Sequence, residues 1–221
     1  MYGLYIDTSC RLVLGILQVS DSSETTWVDY ESYAEKKSSA VIHKLIDDLL
    51  KKNQIPMEKI ALLLETAGPG SYTGMRISHG IAEVFKLFGK AKLSFHHFEV
   101  PAFLGISSGV WVASAFKGEF FVYRWYEDGK SETALLDATS FKQFCLELQC
   151  KKIPIYTHFK TELEHDFLNE VSSSFMETSV LIKQDLLHLM EKVFKDQNSS
   201  RKRPYYYRPL EKEFRLYENE A

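Results

Sequence analysis

The stretch Lys59–Ile77, KIALLLETAGPGSYTGMRI, decides how the rest of the chain is read. Ile60–Leu64 is an unbroken apolar run, the pattern of a strand buried on both faces. Gly68, Pro69, Gly70 and Gly74 then crowd into a few positions. Gly68 and Gly70 permit backbone angles closed to other residues, and Pro69 fixes one angle between them. Ser71 and Thr73 stand where hydroxyls cap a new helix. From Gly74 to Phe88 the residues Ile77, Ile81, Val84, Phe85 and Phe88 recur at helical spacing, and Gly89 is a stop signal. A buried strand, a glycine-bounded turn and an amphipathic helix are the core of an α/β unit. Such a turn presents backbone N–H groups at a helix start, which suits an anion. It lacks the lysine of a P-loop and the spacing of a dinucleotide fingerprint, so physics alone reads it as a tight structural turn.

Working outward, short strands open the chain at Leu4–Ile6, Arg11–Val19 and Thr25–Tyr33, with Gly15 as a bulge site and a turn at Asp21-Ser22-Ser23. A helix is predicted over Ser38–Lys52. Its apolar positions Val41, Ile42, Leu45, Ile46, Leu49 and Leu50 cover an arc of about 180°, wider than the single stripe one core-facing side needs. That width predicts cover on a second side, or a helix sunk more deeply than usual. After the second helix comes a strand at Lys92–Phe95 and a seam over Pro101–Gly109. The second half restarts with strands at Val110–Phe116 and Glu119–Tyr126, a hairpin turn at Asp128-Gly129 and a returning strand at Ser131–Leu136. A helix over Ser140–Leu148 capped by Ser140, a strand at Ile153–Thr157, and helices over Thr161–Glu170 and Gln184–Phe194 complete it. The first half reads β-β-β-α-β-α-β and the second repeats that order in degraded form. Two α/β lobes follow, each a mixed sheet with helices: residues 1–104, and a smaller lobe of residues 105–221 with a basic-aromatic tail.

Composition narrows the function. The chain has 221 residues and a net charge of −3, which argues against coating nucleic acid by charge alone. Hydrophobic residues at 45% and charged residues at 26% exclude whole-chain disorder. The longest uncharged run, Val100–Phe116, carries Pro101, Gly105 and Gly109 and does not read as a membrane span. MYGLYIDTS lacks the basic start of a secretory signal. Cys10, Cys145 and Cys150 form no CxxC pair, which fits a reducing compartment and packed thiols. A cytoplasmic location is the expectation.

The wording of the turn adds a resemblance. GPGSYTGMRI, Gly68–Ile77, closely resembles the GPGSFTGLRI signature of the bacterial TsaB (YeaZ) family. The opening Ile6-Asp7-Thr8-Ser9 matches that family's IDTS, Gly118-Glu119-Phe120-Phe121 its GEVY-type segment, and Pro204-Tyr205-Tyr206-Tyr207-Arg208 its P-x-Y-L-R ending. Order and spacing hold over nearly the whole chain. The resemblance implies a two-lobed fold like the actin, Hsp70 and sugar-kinase ATPases, which is ribonuclease H-like. It implies a scaffold rather than a catalyst, without a cofactor of its own. Such a subunit pairs with the catalytic TsaD, supports TsaE binding and serves the modification of tRNA to N6-threonylcarbamoyladenosine. It reaches tRNA through the complex and can also pair with itself. ATP or ADP and a metal are then expected in the partner subunits.

Chemistry of the chain's own looks incomplete by the same reading. An ATPase of this fold needs an acidic, Gly/Ser/Thr-rich phosphate loop in each lobe and a bound metal. Asp7, Thr8 and Ser9 supply a vestige in the first lobe, but Cys10-Arg11 follows where glycine would help. Ala113-Ser114-Ala115-Phe116 has neither acid nor glycine, and Ser114 and Phe116 replace the acid and arginine usual in the family. The helix that carries paired metal-binding histidines in TsaD has only His43 here, and Ser38-Ser39 stands where TsaB relatives often carry His-Ser. His96-His97 would point apart in a strand, and His158 and His165 are isolated, so no metal site is expected. His79 lies about 12 Å along a helix from Ser71, beyond hydrogen-bond reach, and no catalytic residue is assigned. The alternative function is an ATP-dependent enzyme of the same fold. A peptidase rests only on older naming of the wider family.

The candidate partner interface comprises Ile42, Leu45 and Leu49 on the first helix and Met75, Arg76, His79 and Gly80 on the second. Met75, His79 and Ala82 are placed away from the dense core stripe of Ile77, Ile81, Val84 and Phe85. Arg201-Lys202-Arg203 beside Tyr205-Tyr206-Tyr207 mixes phosphate-binding charge with stacking rings. Yet Glu211, Glu213, Glu218 and Glu220 follow it, and the tail is read as packing its tyrosines back onto the body.

Overall fold

A computed structural model describes residues 1–20, 24–33, 38–115, 118–163 and 175–207. The chain opens with β1 (Tyr2–Asp7), β2 (Leu12–Val19) and β3 (Thr25–Tyr33), followed by α1 (Ser38–Lys52), β4 (Ile60–Thr66), α2 (Tyr72–Leu87) and β5 (Ala91–Phe95). Then come α3 (Val100–Phe103), β6 (Gly109–Ser114), β7 (Phe120–Trp125), β8 (Ser131–Leu136), α4 (Ala138–Cys150), β9 (Ile155–Thr157), β10 (Phe175–Glu177), α5 (Thr178–Gln184) and α6 (Leu186–Lys195).

Five strands form each sheet. The first runs β3-β2-β1-β4-β5, and the second, read from its far edge, runs β8-β7-β6-β9-β10. Both are antiparallel across the first three strands and parallel across the last three. The two sheets are therefore one unit built twice, the ribonuclease H-like arrangement of the actin and Hsp70 class. β10 was not legible in the sequence, and the helix predicted over Thr161–Glu170 lies mostly outside the described residues, as do the Asp21-Ser22-Ser23 turn, Phe116, His165 and the acidic end of the tail.

Alternation along the strands builds two cores on the first sheet. Leu4, Ile6, Leu12, Leu14, Ile16 and Leu63 face α1 and α2. Tyr5, Val13, Leu17, Leu62, Leu64 and Phe95 face α5 and α6, through Ile182, Leu186, Leu189, Met190 and Val193. The run Ile60–Leu64 is apolar throughout because β4 is covered on both sides. Thus α5 and α6, late in the chain, cover the sheet made by its beginning. On the second sheet Val110, Val112, Phe120 and Val122 pack against α4, while Trp111, Ala113, Phe121, Trp125 and Tyr156 face Phe98, Tyr205 and Tyr207.

Local details correct several expectations. Asp137, not Ser140, caps α4: its Oδ1 accepts from the Ser140 N–H at 2.8 Å. The bulge lies at Val28 of β3, between the pairs Ile16–Asp29 and Leu17–Trp27. Gly15 leaves room for the Trp27 ring, 2.6 Å from where a Cβ would stand. Of the three cysteines only Cys145 is buried; Cys10 is half-buried and Cys150 exposed. Gly89, at φ +71°, ends α2 as expected. Among the described residues no helix is long and apolar enough to cross a membrane.

The core side of α2 differs most from the sequence reading. Met75 and Ala82, expected to point away, are 1% and 0% exposed, whereas Val84 is 48% exposed. Gly74, Ser78 and Ala82 are small, and they let the helix lie close on the sheet. The bulkier Ile77, Ile81 and Phe85 pack at its flank, in the cluster that also holds Leu45 of α1. On α1, Ile42 and Leu49 are core residues. The wide apolar arc of α1 is mostly turned inward, and its second side meets α2 of the same chain.

Candidate functional site

The glycine turn is seated on the end of β1. Gly68 adopts φ +92°, a conformation that glycine favours, and its peptide bond to Pro69 is cis. Gly70 has an ordinary φ; its requirement is space. A Cβ there would stand 2.0 Å from the Ser9 carbonyl oxygen, and one on Gly74 would stand 2.2 Å from that of Thr8. The Ser71 N–H donates to the Ser9 carbonyl at 2.5 Å, and the Thr8 hydroxyl donates to Ser78 Oγ at 3.0 Å. Ser71 caps α2 by accepting from the Gly74 N–H at 3.3 Å, while Thr73 is exposed within the helix. The Gly68 carbonyl accepts from the His97 N–H at 2.8 Å, and the Ala67 carbonyl accepts from the Tyr205 N–H at 2.8 Å.

Asp7, Thr8 and Ser9 are buried behind that turn. Asp7 Oδ1 accepts from the Ser9 N–H at 2.9 Å and from the Ser9 hydroxyl at 2.5 Å. Asp7 Oδ2 lies 2.9 Å from His97 Nε2. His97 Nδ1 lies 2.9 Å from Thr178 Oγ1, whose own proton goes to the Thr157 carbonyl at 3.0 Å. Both ring nitrogens of His97 thus face oxygen atoms of buried side chains. Burial alone would raise the Asp7 carboxyl, but the charge of His97 and the hydrogen bonds from His97 and Ser9 hold it below its ordinary value.

His158 packs edge-on against His97, with ring centroids 4.2 Å apart, and against Trp111 at 4.6 Å. It hydrogen-bonds the Pro69 backbone. Burial, and then the neighbouring His97 charge, push its pKa well below the ordinary histidine value, so it is neutral at pH 7. His158 is therefore not isolated, and His97 sits in a 3₁₀ turn rather than a strand.

This constellation does not suit nucleophilic catalysis. Ser9 Oγ and Asp7 Oδ2 both face Nε2 of His97, so the carboxylate is not placed to orient the ring for the serine. The glycines of the turn let it pack directly on the Thr8 and Ser9 backbone. In the second lobe the Ala115 N–H donates to the Glu119 carbonyl at 2.7 Å. Among the described residues no group of three His, Cys, Asp or Glu side chains could hold a metal ion.

The outer side of α2 carries two different surfaces. At its end Leu87 is 85% and Phe88 78% exposed, beside Val84. The exposed Met57 adjoins them, since its carbonyl accepts from Lys90 Nζ at 3.3 Å. Along the other flank Arg76, His79, Gly80, Glu83 and Lys86 line a cavity of about 750 Å³, closed on the far side by residues 200–204 and Tyr206. A Cβ on Gly80 would meet nothing, so Gly80 does not pack on the sheet. His79 Nδ1 lies 3.1 Å from the buried Glu65, which also faces Lys92 at 3.3 Å and accepts from Ser94 at 2.9 Å. Of the seven residues expected at a partner interface, Ile42, Leu49 and Met75 are thus closed within the chain. Leu45 is half-buried, His79 is half-buried on Glu65, and Arg76 and Gly80 are exposed.

Comparison with known proteins gives a family signal over the middle of the chain, from the end of β3 through β7. Residues 32–131 match the family model described as TsaD, tRNA N6-adenosine threonylcarbamoyltransferase. The match spans 100 of the 221 residues. No curated protein sequence matches the chain. Among solved structures, it superposes on an uncharacterized protein with similarity to peptidase YEAZ from Pseudomonas aeruginosa. That match has a TM-score of 0.60 at 13% identity and covers 94% of this chain and 99% of that one. YeaZ from Pseudomonas aeruginosa gives 0.45 at 17% identity, covering 61% of this chain and 66% of its own. The ethanolamine utilization protein EutJ from Carboxydothermus hydrogenoformans gives 0.46 at 12%, covering 86% and 89%. At such identities the first of these supports the fold, and the other two carry no argument.

Sequence reasoning missed His97, His158, Thr157 and Thr178 as members of one cluster. His97 and Asp7 are 90 residues apart, and no local pattern joins them. The adjacency of His96 and His97 was the available signal: one ring turns inward to Asp7, while the other packs on Phe98 and Tyr205.

Proposed function

We propose that this chain is a non-catalytic scaffold subunit of the machinery that places threonylcarbamoyl on the tRNA adenosine. It pairs with a TsaD-like catalytic subunit and supports a TsaE-like ATPase. ATP or ADP and the metal belong to those partners, and tRNA is engaged through the complex. The observation that carries this reading is the exposed apolar end of α2, Val84, Leu87 and Phe88, on a domain whose Asp7-Thr8-Ser9 segment is buried beneath its own glycine turn. Three large apolar side chains held in water lose stabilisation that a partner surface restores, at about 25 cal/mol per Å² covered. Specific interfaces bury about 1,200–2,000 Å² in total, so the patch would form the centre of a surface that also uses Leu45, Arg76 and Gly80.

A pull-down from the native cell with identification of the bound proteins tests it. Recovery of a TsaD-like subunit by the wild-type chain, and its loss with Leu87→Glu, supports the pairing. Recovery that Leu87→Glu leaves unchanged puts the interface elsewhere. Leu49→Glu is unsuited to this purpose because Leu49 is core. The alternative, an ATP-dependent enzyme, requires the lone chain to bind ATP with magnesium tightly in a calorimeter.

A further inference from the structure

The basic flank of α2 is separate from its apolar end and calls for a different occupant. The cavity of about 750 Å³ between α2 and residues 200–206 gathers six cations in a chain whose net charge is −3: Arg76, Lys86, Lys92, Arg201, Lys202 and Arg203. Two of them are compensated. Lys92 meets Glu83 at 2.6 Å and Glu65 at 3.3 Å, and Lys202 meets Glu99 and Asp196 at 2.7 Å each. His96 and Lys202 in turn hold the largely buried Glu99 carboxyl at about 2, against the upward push of burial.

Arg76, Lys86, Arg201 and Arg203 are exposed and make no ion pair among the described residues. Like charges gathered on two facing walls repel one another, and that cost is relieved when a polyanion lies between them. Aromatic rings stand at the same place. Tyr72 and Tyr206 are half-buried with centroids 5.0 Å apart, and the Arg76 guanidinium lies 5.4 Å from the Tyr72 ring centre and donates to its hydroxyl at 2.7 Å. Cations for phosphates beside rings for bases are the elements of single-strand recognition.

We propose that this groove binds single-stranded RNA, with phosphates on Arg76, Lys86, Arg201 and Arg203 and a base against Tyr206. A free nucleotide fits less well. Mononucleotide sites wrap the phosphates in backbone N–H groups at a helix start. Here the Ser71 N–H is taken by Ser9 and the Gly74 N–H by Ser71. What remains is a set of long side chains spread over two elements, which suits a polymer backbone. Arg76 and Gly80 border both this groove and the proposed pairing surface, so the inference concerns the unpaired chain.

The test is fluorescence anisotropy of a short labelled single-stranded RNA with the full chain, titrated from about 50 to 200 mM salt. The expected result is binding that weakens with salt. The double variant Arg201→Glu/Arg203→Glu should weaken it at least about tenfold and lower the salt slope by about 1.4, near 0.7 per lost phosphate contact. Lys151→Glu, exposed on the second lobe, should leave the affinity unchanged. Absence of binding at low salt, an affinity that the double variant does not change, or equal weakening by Lys151→Glu would overturn the assignment. So would complete displacement by millimolar ATP, which would mark a mononucleotide site. None of these readouts involves the TsaD-like partner, so failure here is distinct from failure of the pairing.

Discussion

Asp7 of β1 and His97 of the turn after β5 meet in a buried seam, Oδ2 to Nε2 at 2.9 Å, with both side chains closed to solvent. An acid at the end of the first strand is what an ATPase of this architecture would present to a phosphate or its metal. Here it is engaged by a histidine whose other nitrogen reaches Thr178 at the start of α5. The pair therefore links β1, the turn after β5 and the late helices. Removing one partner of a buried pair leaves the other uncompensated. Asp7→Asn is expected to cost about 3–5 kcal/mol in urea unfolding at pH 7. Because the folded carboxyl lies below its unfolded value, this stabilisation is present above about pH 4 and is lost as pH falls through the folded value. The difference between the wild-type and Asp7→Asn unfolding midpoints should therefore narrow as pH falls below about 4; a difference that stays constant would contradict the charged pairing.

His158 gives a pH dependence of the same direction in a higher window. It stays neutral in the folded chain, since burial and the His97 charge depress its pKa, and it gains a proton on unfolding below about pH 6.5. Stability should therefore fall by up to about 1.4 kcal/mol per pH unit as pH drops from about 6.5. His158→Phe should flatten that slope between about pH 6.5 and 5 in urea titrations. An unchanged slope would show that His158 is protonated in the folded state.

The glycines of the turn and of α2 divide into two classes by what surrounds them. Gly70→Ala would drive a Cβ into the Ser9 carbonyl and is expected to destabilise the chain by about 3 kcal/mol or more. Gly80→Ala meets open space within α2 and should stabilise it by up to about 1 kcal/mol. Thermal melts of the two variants check this, and a neutral Gly70→Ala would refute the close seating of the turn on β1.

Periodicity found the elements, and packing chose their faces. The bounds of β3, α1 and β8 agree with the sequence reading because each is a single periodic segment with clear flanks. The repeated strand order was legible for the same reason. The core side of α2 was not. A count of bulky apolar residues points to Ile77, Ile81 and Val84, but close approach to a sheet selects the small Gly74, Ser78 and Ala82. Sequence periodicity records hydrophobicity, whereas the distance between a helix and its sheet is set by side-chain volume. The tail was read correctly in part: Tyr205 and Tyr207 do pack onto Phe98 and Phe121. Arg201, Arg203 and Tyr206 instead line the groove with α2, a relation that appears only once the 3₁₀ turn Ser199–Arg201 is docked beside β5.

The scaffold reading stands or falls on the apolar end of α2. Calorimetric titration of the purified TsaD-like subunit into this chain, wild type against Leu87→Glu/Phe88→Glu, measures it directly. Both side chains are largely in water, so the double variant should melt like the wild type. The expected result is a saturable heat with the wild type and its loss with the variant. Equal binding by both, or no binding by the wild type, would contradict the proposed role of this surface.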